Sequence, residues 1–265
     1  MNEKTKIVLK AIDYMKNHLD QEITTKQLAN HVGYSTYHFI RIFKEVTGIS
    51  PRHYLSSLRV EHGKEMLANS PSSTILKTLL GAGFRSLGTY STTFKNSVGL
   101  SPKGFQSSIK QLYSFLNSYC FQNEKIEGIA KPAVFCHIEV PKNFRGVVFV
   151  GLFTKPIPDR RPVVGTAVKS TTKKCLFTKV PPGKYYLLSA AISWSLNPKD
   201  YFLLNNGLRG KVEHPILIED NKFTEVSVRL REPLPYDPPI VINLPLLLFE
   251  KEKDSNLEEF QNHLS

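Results

Sequence analysis

The chain is poor in cysteine and lacks long apolar runs, and each shortage excludes a class of protein. Three cysteines, Cys120, Cys136 and Cys175, are too few and too irregularly spaced for a disulfide framework or a metal-binding knuckle. We therefore expect all three to be reduced thiols that bind no metal. The longest apolar stretches, Gly146–Phe153 and Pro239–Phe249, are much shorter than a membrane-spanning helix.

The sequence also lacks the patterns of secretion and of catalysis. Met1–Lys10 has scattered charges and no apolar region of a signal peptide, so we expect a cytoplasmic protein without membrane attachment. There is no glycine-rich phosphate loop and no His-x-x-x-His. Cys136 and His137 are adjacent, and adjacent side chains of a strand point to opposite faces. These two residues therefore cannot act together as a catalytic nucleophile and its general base. The sequence predicts no cofactor.

Positive charge is what the chain does have, and it is unevenly distributed. The formal net charge is +12, of which residues 1–110 carry +8, from 15 Lys/Arg and 7 Asp/Glu. Such a field attracts polyanions, whether nucleic acid or anionic lipid, and does not choose between them.

Helix start and stop signals fill the N-terminal region. Thr24 and Gln27 have the spacing of a capping box, and Ser35 is placed to cap a further helix that Gly48 ends. Ser50 and Pro51 begin another helix, since proline suits the first helical position. This last helix is predicted to run to about residue 68 and to join two similar units.

The similarity of the two units is an internal duplication. Ser86, Phe94-Lys95, Gly99 and Ser101-Pro102 repeat the pattern of Ser35, Phe43-Lys44, Gly48 and Ser50-Pro51 at an offset of 51 residues. Gly33-Tyr34 and Gly83-Phe84 are offset by 50, so the second unit has one extra turn residue, Arg85.

Beyond Tyr119 the pattern changes to short β-type runs separated by turn residues. Strands are predicted at 134–140, 147–153, 163–168, 176–180, 185–192, 215–218, 224–230 and 240–248. The predicted fold class is therefore multi-domain α + β, with an all-α tandem helix-turn-helix domain (1–108), a linker (109–133), an all-β antiparallel sandwich (134–250) and a charged tail, frayed or helical (251–265).

A short helix, a glycine-containing turn and a capped second helix form the helix-turn-helix arrangement, whose second helix enters the DNA major groove. Here the arrangement occurs twice, and each copy ends in Gly-x-Ser-Pro. Residues 4–108 resemble the DNA-binding domain of the AraC/XylS family of bacterial regulators. The resemblance implies a sequence-specific regulator of transcription with double-stranded DNA as its partner.

The helical period separates the two faces of the first recognition helix. Phe39, Ile42 and Phe43 form the apolar stripe, and the family resemblance also places base contacts on the other face. The predicted DNA contacts on that other face are Thr36, Tyr37, Ile40, Arg41 and Lys44. For His38 a half-buried structural role is preferred to base contact.

The second recognition helix is a weaker base reader, because its outward positions include no long polar side chain. Gly88 inside its first turn also disfavours the helix by about 0.5–1 kcal/mol relative to alanine. Its predicted contacts are Arg85, Leu87, Thr92 and Lys95. Arg52 and Lys103, beside the helix starts at Pro51 and Pro102, are candidates for phosphate contact, with a solvated surface role as the alternative.

The C-terminal half offers a second resemblance. Residues 145–232, with a Pro-Pro-Gly turn before a Tyr-x-Leu-x-Ala strand, resemble carboxypeptidase-regulatory or transthyretin-like sandwiches. Such a domain could sense a small-molecule or protein effector or mediate a homodimer; the alternatives are an unliganded scaffold and, remotely, an enzyme. Candidate pocket residues are Arg160, Arg161, Trp194, Tyr201 and Phe202, although aromatic residues are more often core.

Overall fold

The computed structural model describes residues 2–70, 74–119, 121, 132–158 and 161–262, and for 254–262 it describes the backbone only. The chain forms two compact units. The helical unit contains the residues up to Ser107 together with Leu203–Asn205 and Pro233–Ile242. The β-rich unit contains Ser108–Phe202, Asn206–Glu232 and the chain from Asn243 onward.

Within the described residues, seven helices cover the N-terminal region. They are α1 (Glu3–Asn17), α2 (Thr25–His31), α3 (Thr36–Thr47), α4 (Pro51–Asn69), α5 (Ile75–Gly81), α6 (Leu87–Val98) and α7 (Pro102–Ser118). The predicted caps are confirmed: Thr24 and Gln27 form the capping box, and Ser35 and Ser86 cap α3 and α6. Gly48 and Gly99 end these two helices in the left-handed conformation.

The duplication extends into the core of the helical unit. In the first half the ring of Phe43 packs edge-on against Phe39 and against Tyr54 of α4. In the second half Phe94 packs edge-on against Tyr90 and against Phe105 of α7. Each of α3 and α6 therefore packs against an aromatic residue of the helix that follows it.

The described residues of the β-rich unit form eight strands. They are β1 (Ala133–Glu139), β2 (Gly146–Phe153), β3 (Val164–Lys169), β4 (Lys174–Thr178), β5 (Gly183–Ser193), β6 (Leu208–Lys211), β7 (Ile216–Ile218) and β8 (Phe223–Arg229). One sheet has the order β4-β1-β8; the other has the order β3-β2-β5-β6, with β7 also paired to β5. Buried residues of both sheets form one hydrophobic cluster, which includes Val134, Val148, Leu187 and Val228.

Seven of the eight predicted strands are present within two residues of their expected ends. The expectation of a purely antiparallel arrangement was wrong, because β1 and β8 pair in parallel. Strand β6, with the sequence Leu-Arg-Gly-Lys, was not predicted because it has neither alternation nor β-branched residues.

The predicted strand at 240–248 was wrong, since helix α8 (Leu244–Asn262) begins within it. Pro245 cannot donate to a β-ladder but suits the first turn of a helix. The side chain of Asn243 accepts a hydrogen bond from the Leu246 amide at 3.2 Å, which stabilises that helix start. The charged tail is thus helical as far as Asn262.

Helix α7 runs into the predicted linker and ends at Ser118, with Leu112 and Leu116 buried. In the described part of the chain, no helix combines the length and the apolarity needed to cross a membrane. Cys136 and Cys175 stand opposite each other on β1 and β4, buried and without a disulfide, while Cys120 lies outside the described residues.

Candidate nucleic-acid interface

Helix α3 is positioned by the turn before it and by its own apolar face. Gly33 has a φ of +81°, a value that favours glycine, and it lets the chain reverse between α2 and α3. Phe39, Ile42 and Phe43 are buried, as the helical period predicted. With this face held in the core, the opposite face of α3 is directed to solvent.

The predicted contact residues of α3 lie together on that exposed face. The side chain of Tyr37 is 83% exposed and that of Ile40 is 37% exposed. Arg41 and Lys44 are exposed and Thr36 is half-buried. The structure thus brings two cations and two exposed apolar surfaces onto one helix face.

His38 is half-buried, as expected, and it also contacts Arg41, one of the predicted DNA-contact residues. Its ring stacks on Tyr34, with 5.3 Å between ring centroids. Its Nδ1 lies 3.3 Å from Nη2 of Arg41. Because an arginine can only donate, Nδ1 must accept in this contact, which places the ring proton of a neutral His38 on Nε2. His38 therefore restrains the guanidinium of Arg41.

The end of α3 keeps an excess of positive charge. Glu45 forms an ion pair with Lys4 of α1 at 2.6 Å. The hydrogen bond from Lys4 holds the pKa of Glu45 below its usual range, and Arg41 adds a smaller effect in the same direction. Glu45, the acid of α3, is therefore already paired with a cation of another helix.

Helix α6 repeats the arrangement with fewer polar groups. Tyr90, Phe94 and Val98 are buried, and burial raises the pKa of the Tyr90 hydroxyl well above its usual range. On the other face Leu87 is 55% exposed, and Thr92 and Lys95 are exposed. The predicted residues are again together on one face, which is less polar than that of α3.

A second arginine, which the sequence did not indicate, lies near the turn before α6. Arg59 of α4 donates to the carbonyl oxygens of Leu19 at 3.2 Å and Gln21 at 2.6 Å. Burial lowers the pKa of Arg59, and the nearby charge of Arg85 lowers it further. Two guanidinium groups thus lie near each other at this turn. Nothing in the local sequence identifies Arg59, because its contacts join α4 to residues 40 and 38 positions earlier.

The starts of α4 and α7 have equivalent geometry. The hydroxyls of Ser50 and Ser101 each accept a hydrogen bond from a first-turn amide, at 3.3 Å and 3.1 Å. Arg52 and Lys103 lie exposed one residue after the two prolines. Each helix start therefore has one exposed cation.

The candidate pocket residues of the β-rich unit do not share one environment. Tyr201 and Phe202 are each 1% exposed, and the Tyr201 hydroxyl bonds both the amide and the carbonyl of Ser195, so both are core residues. Trp194 is partly exposed, and Arg161 pairs with Glu250 at 2.7 Å. Arg160 lies outside the described residues. Among the residues described, no group of His, Cys, Asp and Glu could hold a metal ion.

Comparison with known proteins identifies the helical region. Residues 28–108 match the family model described as helix-turn-helix domain. An uncharacterised transcriptional regulator of the helix-turn-helix type from Bacillus subtilis, YobQ, is 30% identical over 99 residues, which cover 37% of this chain and 41% of that protein. The melibiose operon regulatory protein of Escherichia coli is 29% identical over 104 residues, which cover 39% of this chain and 34% of that protein.

Among solved structures, a transcriptional regulator from Chromobacterium violaceum described as AraC-type is 25% identical, with a TM-score of 0.38; the match covers 39% of this chain and 92% of that chain. The chain spans less than half the length of the curated relatives named above. The matching family model ends at residue 108, so the resemblance of residues 145–232 to transthyretin-like sandwiches stays a prediction.

Proposed function

We propose that the helix-turn-helix domain at residues 28–108 makes this chain a sequence-specific, double-stranded DNA-binding regulator of transcription, of the AraC/XylS type. One observation carries the proposal. The face of α3 opposite its buried aromatic residues presents Tyr37, Ile40, Arg41 and Lys44 to solvent. A face with two cations and exposed apolar groups suits the major groove, where phosphates and base edges lie close together.

Each side chain of this face has a role that its chemistry supports. The fork of Arg41 donates to O6 and N7 of a guanine, and His38 limits the rotamers that the arginine can adopt. Tyr37 and Ile40 contact thymine methyl groups, and Lys44 contacts a phosphate. Thr36, at the first position of α3, contacts a base edge or the backbone beside it.

Helix α6 positions the protein and contributes little base reading. Leu87 presses on a thymine methyl and Thr92 faces the groove, while Arg85 and Lys95 bind phosphates. Arg59 lies near Arg85 and adds to the local positive potential. At the starts of α4 and α7, the exposed Arg52 and Lys103 supplement the partial positive charge of the helix N-termini.

For the β-rich unit we propose a sensor or dimerisation module. Its two sheets share one hydrophobic core, so it is a folded unit and not a flexible extension. An unliganded scaffold is the alternative, and sedimentation of the whole chain over a range of concentrations, with and without DNA, distinguishes it from a dimerisation module. An enzyme with an accessory DNA-binding domain is the remote alternative.

Selection of duplexes from a random-sequence pool, using the whole chain, tests the central proposal. We expect one sequence to emerge and to bind roughly a thousandfold or more tightly than a scrambled duplex of equal length. Equal affinity for selected and scrambled duplexes would contradict sequence-specific binding.

A further inference from the structure

Helix α4, which connects the two halves of the helical unit, is buried on more sides than a connecting helix requires. An amphipathic helix buries one stripe of its surface. The buried residues of α4 instead include charged and polar side chains, among them Glu61, Lys64 and Ser57. Some other part of the chain must therefore cover this side of the helix.

That covering comes from the C-terminal half of the sequence. Residues 233–242, here called the strap, belong to the helical unit, although the residues before and after them belong to the β-rich unit. Ile240, Val241 and Ile242 are buried. Asn205, from a second short segment of the helical unit, donates to the Glu65 carboxylate at 2.9 Å.

The first anchor of the strap lies where α4 contacts α3. Tyr54 is 1% exposed, and its ring packs edge-on against Phe43 of α3, with 5.4 Å between centroids. The hydroxyl of the same Tyr54 donates to the carbonyl of Asp237 at 3.0 Å. One side chain thus connects the first recognition helix to the strap.

The second anchor, Lys64, lies one residue after Gly63, where α4 contacts α6. Lys64 is fully buried, and its ammonium is 3.0 Å from the Glu61 carboxylate and 3.4 Å from the carbonyl of Ile240. A buried ammonium is tolerated only with such partners. The neighbouring Gly63 leaves room for Tyr90 of α6: a Cβ atom at Gly63 would lie 3.0 Å from the Tyr90 hydroxyl oxygen.

The chain between the two anchoring carbonyls is stiff. Asp237 and Ile240 are separated by Pro238 and Pro239, whose rings restrict φ to about −65°. Tyr54 and Lys64 are ten residues apart on α4, which corresponds to about 15 Å along the helix. The strap therefore links two points of α4, each beside a different recognition helix, through a segment that cannot shorten or fold easily.

We propose that the Pro-Pro strap, through Tyr54 and Lys64, sets the spacing at which α3 and α6 are presented to DNA. Tyr54 and Lys64 are then positioning residues, and neither contacts DNA. The inference rests on the proposed function and deepens it. The strap leaves the β-rich unit at Glu232 and re-enters it at Asn243, so a ligand or partner that strains that unit has a covalent route to the spacing of the recognition helices.

The test uses duplexes in which the segments contacted by α3 and by α6 are separated by one base pair fewer or one base pair more than in the selected duplex. We expect the wild-type chain to prefer one spacing about tenfold or more. In Tyr54→Phe and in Pro238→Gly/Pro239→Gly this preference should fall to about twofold or threefold, with affinity for the best duplex largely retained. A merely stabilising strap would lower affinity for all spacings equally and leave the ratio unchanged, which would overturn the proposal.

The β-rich unit offers matched controls for both variants. The Tyr185 hydroxyl donates to the carbonyl of Pro181 at 3.0 Å, the same bond length as in the Tyr54 contact. Tyr185→Phe and Pro181→Gly/Pro182→Gly should keep the wild-type preference for spacing. Circular dichroism melts establish that each variant is folded before the binding comparison.

A measurement without DNA separates failure of the strap from failure of the proposed function. Spin labels at Lys44→Cys and Lys95→Cys, in a chain with Cys120, Cys136 and Cys175 replaced by alanine, report the distance between α3 and α6 by electron–electron double resonance. We expect one narrow distribution, broadened at least about twofold by Pro238→Gly/Pro239→Gly or by Lys64→Met. An unchanged distribution would overturn the strap, whether or not the chain binds DNA.

Discussion

Arg41 and Lys95 are cations on helices of equivalent position in the duplication, but their surroundings differ. Arg41 has a planar fork, held near His38, among exposed residues that can contact base edges. Lys95 lies in the last turn of α6, and the other predicted contacts within that helix, Leu87 and Thr92, are not long polar side chains. A fork can read a guanine, whereas an isolated ammonium attracts any phosphate.

We therefore expect Arg41→Ala to weaken binding to the selected duplex about tenfold to a hundredfold and to relax one base position, because a bidentate guanine contact contributes roughly 1–3 kcal/mol of discrimination. Lys95→Ala should weaken binding to all duplexes alike and reduce the salt dependence by about one unit of slope. Titrations against selected and scrambled duplexes at several salt concentrations measure both effects.

Lys142→Ala, which removes an exposed cation from the β-rich unit, is the control for loss of charge and should change neither property. The opposite pattern, in which Thr92→Ala abolishes discrimination and Arg41→Ala leaves it intact, would reverse the roles of α3 and α6.

The hydrogen bonds of Glu65, including the one from Asn205, make the free energy of unfolding depend on pH. Its pKa is lowered, mainly by the hydrogen bond with His62 and further by Asn205. A folded pKa below the unfolded value of about 4.3 means that Glu65 stabilises the fold above that pH and loses this effect as the pH falls through the folded pKa. Glu65→Gln should therefore be less stable than wild type near about pH 6, and the difference should shrink on acidification.

Urea unfolding followed by the helical circular dichroism signal, at several pH values, measures this difference. Glu213→Gln changes an exposed acid of the β-rich unit and serves as the control. Parallel stability curves for wild type and Glu65→Gln would show that the bonds to His62 and Asn205 contribute nothing.

At the scale of the elements, the two turns look equivalent but are packed differently. Gly33 and Gly83 both have positive φ, +81° and +77°. A Cβ atom at Gly33 would meet nothing within 4 Å, whereas at Gly83 it would lie 1.8 Å from the carbonyl oxygen of Leu19. The second turn thus has a steric requirement in addition to the conformational one.

Gly33→Ala should lower the free energy of unfolding by about 1–2 kcal/mol, from the left-handed conformation alone. Gly83→Ala should cost about 3 kcal/mol or more, because the backbone near Leu19 must also move. Gly88→Ala is the control: it lies within α6 with open space around it, and it should stabilise the helix by about 0.5–1 kcal/mol. Equal costs at Gly33 and Gly83 in urea unfolding would show that the chain near Leu19 yields freely.

At the scale of the whole molecule, the chain contains two helices, α3 and α6, to which the proposed function assigns DNA contact, so one copy would suffice to contact two grooves. Helix-turn-helix dimers reach successive major grooves, about 34 Å apart, by symmetry. Here the duplication of 51 residues takes the place of that symmetry. We predict that α3 and α6 lie on one face of the monomer at this separation.

Hydroxyl-radical footprinting of the selected duplex, under conditions where sedimentation shows a monomer on DNA, tests this prediction. Two protected backbone segments about one helical turn apart are expected. A single protected segment, or protection that requires two copies of the chain, would contradict it.

Local signals predicted much of the structure. The caps Thr24, Ser35 and Ser86 and the stop at Gly48 are contacts within a few residues, so they can be read from spacing. Strands with β-branched alternation were also predicted. The prediction of a strand at 240–248 was wrong because this apolar run fits a strand and a buried helix start equally well. Only packing decides between the two.

The sequence by itself determined the repeated helix pairs, their ends and the polar face of α3, because helical period and capping depend on residues three or four positions apart. Tertiary structure alone decided the parallel pairing of β1 with β8, the contact of Arg59 with the Leu19 carbonyl, and the position of Asp237 and Ile240 over α4. Those contacts join residues 40 to more than 180 positions apart, as in the Tyr54–Asp237 bond. Several of these contacts are made to backbone carbonyls. Every residue has a carbonyl, so no pattern of side chains in the sequence predicts such contacts.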